Sequence, residues 1–103
     1  MPIMEISVVP LGTKTPSVSR YVADALKVLK REKNIKYQLT AMGTIIEADS
    51  LDELLDVAKK MHEATFAGGA QRVVTTIKID ERRDKKLSIE GKIKSVKGKI
   101  SGI

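Results

Sequence analysis

The chain has no cysteine and no tryptophan, a single histidine, and Tyr21, Tyr37 and Phe66 as its only aromatic residues. Without cysteine there is no disulfide, no thiolate nucleophile and no cysteine-based metal site, a composition that fits a reducing interior. His62 stands alone, with no second histidine to share a metal and no partner clustered around it for general-base work, so it reads as a helix-surface histidine. Two separate tyrosines do not make a base-stacking platform. No apolar run approaches the roughly 18 residues needed to span a bilayer, and the opening MPIMEISVVP has an acid but no basic stretch of the kind that begins a secretory signal. The expectation is a cytoplasmic protein with no membrane association.

Over 103 residues, 42% are hydrophobic and 31% charged, a balance that builds one packed core and is far from the composition of disorder. The chain is expected to be a single domain, 1–103, with a core over 1–81 and a basic appendage over 82–103. The net charge of +6 is confined to that appendage. Residues 82–103 hold 8 basic side chains against Asp84 and Glu90, whereas 1–81 hold 11 of each sign. The basic segment suggests phosphate tracking, but no aromatic is interleaved with it, and a solvated basic face is the simpler reading.

Ile3 to Val9 alternates in polarity and is closed by Pro10, which predicts a strand with Met4, Ile6 and Val8 on one face and Glu5, Ser7 and Val9 on the other. PLGTKTP is a loop, and Ser17 is the expected cap of a helix whose stripe is Val18, Val22, Ala25, Leu26 and Leu29, ending near Asn34. Lys36 to Met42 and Thr44 to Ala48 form a predicted hairpin around Gly43. Ser50 and Glu53 have capping-box spacing, and Leu51, Leu54, Leu55, Ala58 and Met61 form the stripe of a second helix running to about Ala67, stopped by Gly68 and Gly69. Arg72 to Asp80 is the most β-branched stretch and predicts a fourth strand. Ile89, Ile93, Val96 and Ile100 then recur at helical spacing. Gly91 and Gly98 each cost that last helix about 1 kcal/mol relative to alanine, so it needs a surface to pack on, its own or another subunit's.

The order βαββαβ plus a C-terminal helix predicts an α+β, ferredoxin-like sandwich with a four-stranded antiparallel sheet, its first and third strands central. Right-handed crossovers place both helices on one face. The other face is then open and carries Glu5, Ser7, Gln38, Thr40, Met42, Ile45, Glu47, Thr76 and Lys78, with Val9 and Val74 among them. It is too polar for a core and too apolar for a purely solvated surface, which suits a subunit interface holding a small polar site. Glu47 is the oddest of these, a carboxylate on a central strand that is costly unless satisfied. Two readings stand: contact with a ligand, or a structural partner such as Lys78, Arg72 or a neighbouring subunit.

The runs ISVVPLGTKTPSVSRYVADAL, YQLTAMGTIIEA and RVVTTIKIDER closely resemble the thiamine-binding-protein family, related to the YkoF-like superfamily, over essentially the whole chain. That resemblance implies dimers assembling into a tetramer, and binding of thiamine or its hydroxymethylpyrimidine half with no established catalysis and no further cofactor. Carried over by position, it implies ligand-binding roles for Ser7, Thr44 and Glu47, with Met42 lining the same region. A carboxylate can meet an aminopyrimidine with paired hydrogen bonds and favours the thiazolium cation.

The remaining clusters are weaker. Asp49, Asp52, Glu53 and Asp56 complement a helix start and need no metal, so no metal site is expected. PLGTKTPS lacks the Walker pattern, though the helix that follows it offers a place for an anion such as sulfate. The function that the resemblance implies is non-enzymatic binding of thiamine or hydroxymethylpyrimidine by an oligomer, as a carrier, buffer or sensor, and the residues offer no nucleophile and base that fall together for catalysis. Its alternatives are a regulatory module binding another metabolite at a subunit interface, and nucleic-acid binding by the basic segment.

Overall fold

A computed structural model describes residues 1–100. Its elements are β1 (Ile3–Leu11), α1 (Ser19–Lys30), β2 (Lys36–Leu39), β3 (Thr44–Glu47), α2 (Leu51–Ala67), β4 (Arg72–Asp80) and α3 (Ile89–Lys99). The four strands form one antiparallel sheet in the order β2-β3-β1-β4. This is the ferredoxin-like plan, with the first and third strands central.

Alternation in β1 sends Met4, Ile6 and Val8 toward the helices. There they pack with Ile46 of β3, Ala25 and Leu29 of α1, and Leu54, Val57, Ala58 and Met61 of α2. Each fully buried side chain of this kind contributes about 1.5–3 kcal/mol, so this one face accounts for most of the hydrophobic stabilisation. The α2 stripe is centred differently from the sequence expectation: Leu51 and Leu55 are exposed, whereas Val57 and Thr65 are buried. Positions 54, 57, 58, 61 and 65 make the continuous stripe that meets the sheet, and the Thr65 hydroxyl is satisfied by the Met61 carbonyl at 3.1 Å.

Local chemistry explains the other departures. Strand β1 continues through Pro10, which pairs with Val73, to Leu11. Strand β3 pairs with β1 only as far as Ile6, leaving an unpaired edge beyond it, where proline is tolerated. Strand β2 ends at Leu39 rather than Met42 because Thr40 turns the chain. Its hydroxyl donates to the Gly43 carbonyl at 2.8 Å and accepts from the N–H groups of Met42 and Gly43. Gly43 is required by a close approach, since a Cβ there would lie 3.0 Å from the Ile6 carbonyl oxygen.

Helix α1 is capped by Val18 without a side-chain hydrogen bond, and it ends at Lys30, short of Asn34. The hydroxyls upstream, Thr13 and Thr15, are spent on the carbonyls of Thr15 and Ser17 within the loop. Ser50 does cap α2, accepting from the Glu53 N–H at 3.2 Å. Among the described residues no helix is long and apolar enough to cross a membrane. The end of the predicted C-terminal segment, 101–103, lies outside the described residues.

Candidate functional site between the last helix and the sheet

The pleat of the sheet decides which residues share a face. Thr44 pairs with Ile6 and lies on the helix-facing side, 3% exposed. On the other side β1 contributes Ile3, Glu5 and Ser7, β3 contributes Ile45 and Glu47, and β4 contributes Thr76, Lys78 and Asp80 by register. Most of this second face stays uncovered, but one corner does not.

After β4 the chain turns through a charged segment in which the Arg82 guanidinium is paired with Asp84. That hydrogen bond holds the Asp84 carboxyl down at about 2, from an ordinary 3.8. Buried Leu87 anchors the return. Ser88 then opens α3, its hydroxyl accepting from the Gly91 N–H at 2.9 Å. The Ile89 N–H, one donor that the helix itself cannot satisfy, reaches the Glu47 Oε1 at 2.8 Å. Glu47 is only 3% exposed. A buried carboxylate thus receives a backbone donor at the positive end of a helix dipole, which is how the fold accommodates it. The partners proposed from sequence lie elsewhere: the Lys78 ammonium is 3.9 Å from Glu5. Lys92, one turn into α3, pairs with Asp80 at the end of β4, a second and half-exposed contact between the helix and the sheet.

Between α3 and this face lies a cavity of about 420 Å³. Its apolar walls are Ile3 and Ile45 from the sheet and Ile89 and Ile93 from the helix. Its polar groups are Glu5, Gln38, Thr40, Lys78, Asp80 and Lys92. Four isoleucine walls with polar groups around them, in a volume within the roughly 300–1,000 Å³ typical of small-molecule sites, offer both apolar contact and hydrogen-bond partners to a ligand.

The four residues singled out in the sequence do not converge there. Ser7 stands on the same face, opposite Thr76, beyond the part of β1 that β3 covers. Met42 is 85% exposed in the hairpin turn. Thr44 looks into the core, and Glu47 is engaged by α3. The cavity residues Glu5, Gln38, Thr40, Ile45 and Lys78 belong to the open face that strand alternation outlines. Ile3 and Asp80 share that parity and were legible by extending it one step in each strand. His62 is not a free surface group: its Nδ1 lies 2.6 Å from the Thr75 hydroxyl and its ring meets Phe66 edge-on. No group of three or more His, Asp or Glu suited to a metal occurs among the described residues.

The sequence matches the thiamine-binding protein family over residues 4–97. The chain belongs to that family. The UPF0045 protein YqgV of Bacillus subtilis is 52% identical over 99 residues, covering 93% of this chain and 94% of its own. The crystal structure of the hypothetical protein MJ1052 of Methanocaldococcus jannaschii superposes with a TM-score of 0.84 at 43% identity, covering 92% of this chain and 94% of that one. A Thermotoga maritima protein named for thiamine biosynthesis or salvage shares the fold, with a TM-score of 0.76 at 21% identity over 92% of this chain and 97% of that one. This family member thus combines the family's sandwich with a last helix that closes a cavity on the open face.

Proposed function

We propose that this protein binds thiamine or its hydroxymethylpyrimidine half, without chemical conversion, in the cavity between α3 and the open sheet face. Family membership motivates the ligand class, and the cavity with its convergent Glu5, Gln38 and Asp80 is the observation that carries the site. An aminopyrimidine presents a ring acceptor beside an exocyclic donor, and the carboxamide of Gln38 offers the matching donor and acceptor side by side. Ile45 and Ile93 provide apolar walls for the ring. Glu5 and Asp80 favour a thiazolium cation. Their present ammonium partners are half or more exposed, and exposed ion pairs are worth only about 0–1 kcal/mol, so exchanging a lysine for a ligand cation costs little.

In this reading Glu47 acts through α3, which it holds over the cavity, and Ser7 extends the polar floor. Met42 and Leu39, both exposed on the hairpin, are offered to an assembly contact in a homotetramer built as a dimer of dimers. The protein serves as a carrier, buffer or sensor in the cytoplasm. A thermal-shift series tests the ligand class, because a compound that binds only the folded state raises Tm by mass action. Thiamine and hydroxymethylpyrimidine are expected to raise it in proportion to the logarithm of concentration, and free amino acids are not. A shift with an amino acid alone would move the assignment to another metabolite.

A further inference from the structure

At the opposite end of β1 lies a second cavity, of about 990 Å³, formed where the loop after β1 meets the start of β4. Three cations line it, Lys14 from the loop, Arg20 from the first turn of α1 and Arg72 from the start of β4, and no acidic residue does. None of the three takes part in an ion pair among the described residues. Asp24, beside Gly68, lies outside the lining and pairs with Lys27 at 3.5 Å rather than with any of the three. Bringing three positive groups around one hollow without a counter-charge is electrostatically unfavourable, and an anion relieves it.

We propose that this cavity binds a phosphorylated small molecule, its phosphate held by Lys14, Arg20 and Arg72. Arg20 is already positioned for the task. One guanidinium nitrogen donates to the Gly68 carbonyl at 3.1 Å and the group stacks over the Tyr21 ring at 4.8 Å, which fixes its plane and leaves its other donors for a phosphate. The Gln71 amide adds a neutral donor, and Leu11, Tyr21 and Ala70 supply apolar wall. The volume exceeds what a bare phosphate fills, so the site has room for the organic remainder of an ester. This inference is independent of the thiamine reading, whose cavity is lined by different residues.

The test is an amide-resolved NMR titration of the full chain, first with inorganic phosphate and then with phenyl phosphate at fixed ionic strength. Saturable shifts confined to residues 12–21 and 69–72, with phenyl phosphate binding more tightly than phosphate, are the expected result. The Lys14→Gln/Arg72→Gln variant changes two exposed side chains, and its amide dispersion confirms that it is folded. It is expected to weaken binding by roughly tenfold or more, as loss of one or two charge-assisted hydrogen bonds implies. Shifts that follow the basic stretch from Arg82 to Lys99, binding unchanged in the double variant, or no saturable shift with either compound would overturn the proposal.

Discussion

The carboxylate of Glu47, at the end of β3, accepts a hydrogen bond at 2.8 Å from the backbone N–H of Ile89, the first residue of α3. The bond links a central strand to a helix that has no buried residue of its own and exposes Ile93 and Val96. A helix with so little packing area depends on a few specific ties. Glu47 is the buried one and holds the start of α3 over the cavity, whereas the half-exposed Lys92–Asp80 pair adds little.

Glu47→Ala is therefore predicted to release α3 before it affects the sheet. A hydrogen bond to a charged acceptor is worth about 1.5–3 kcal/mol, so amide exchange across Ile89–Lys99 should accelerate by roughly tenfold or more. Exchange in β1 and β4 should change far less. Glu47→Gln keeps an acceptor without the charge and should fall between wild type and alanine. Uniform acceleration over the whole chain would instead mean that Glu47 supports the core.

The two serine caps proposed from sequence separate cleanly in the structure. Ser50 receives the Glu53 N–H, and Ser50→Ala should cost about 1 kcal/mol, or about 4–8 °C in Tm for a domain of this size. Ser17 caps nothing, so Ser17→Ala should lie within about 0.5 kcal/mol of wild type. Paired thermal melts check both, and equal losses would contradict the assignment of Val18 as the α1 cap.

Asp84 gives the pH prediction. Its carboxyl is depressed to about 2 by the hydrogen bond from Arg82. A depressed carboxyl favours the folded turn above the unfolded value of 3.8 and loses that contribution as pH falls through about 2. Carboxyl-detected NMR should find the low midpoint in the wild type. In Arg82→Gln the midpoint should rise toward 3.8. An identical midpoint in the variant would remove Arg82 as the cause.

Periodicity made the sheet legible. The β-branched run from Arg72 to Asp80 has the same bounds in sequence and structure, and the alternation of β1 and β3 correctly parts Met4 and Ile46 from Glu5 and Ile45. Short-range hydroxyl chemistry was harder to read: Ser17 has the residue type of a cap but the helix starts from Val18, and Thr40 looks like a strand residue until its hydroxyl is seen to close the turn. The partner of Glu47 was not legible at all. It is a backbone N–H forty-two residues away, on a helix whose glycines and scattered charges do not reveal which face it turns to the sheet. The cavity was half legible: strand parity outlines its floor, but Ile89, Lys92 and Ile93 form its roof only because α3 folds back.

The central claim is that a thiamine-class ligand occupies that cavity. Calorimetric titration of wild type, Gln38→Ala and Glu5→Gln with thiamine and hydroxymethylpyrimidine, at matched oligomeric state, tests it most directly. The account predicts saturable binding by the wild type that weakens by roughly tenfold or more when the Gln38 carboxamide is removed, with Glu5→Gln weakening thiamine more than the neutral pyrimidine. Absence of saturable heat in the wild type, or affinities unchanged in both variants, would contradict it.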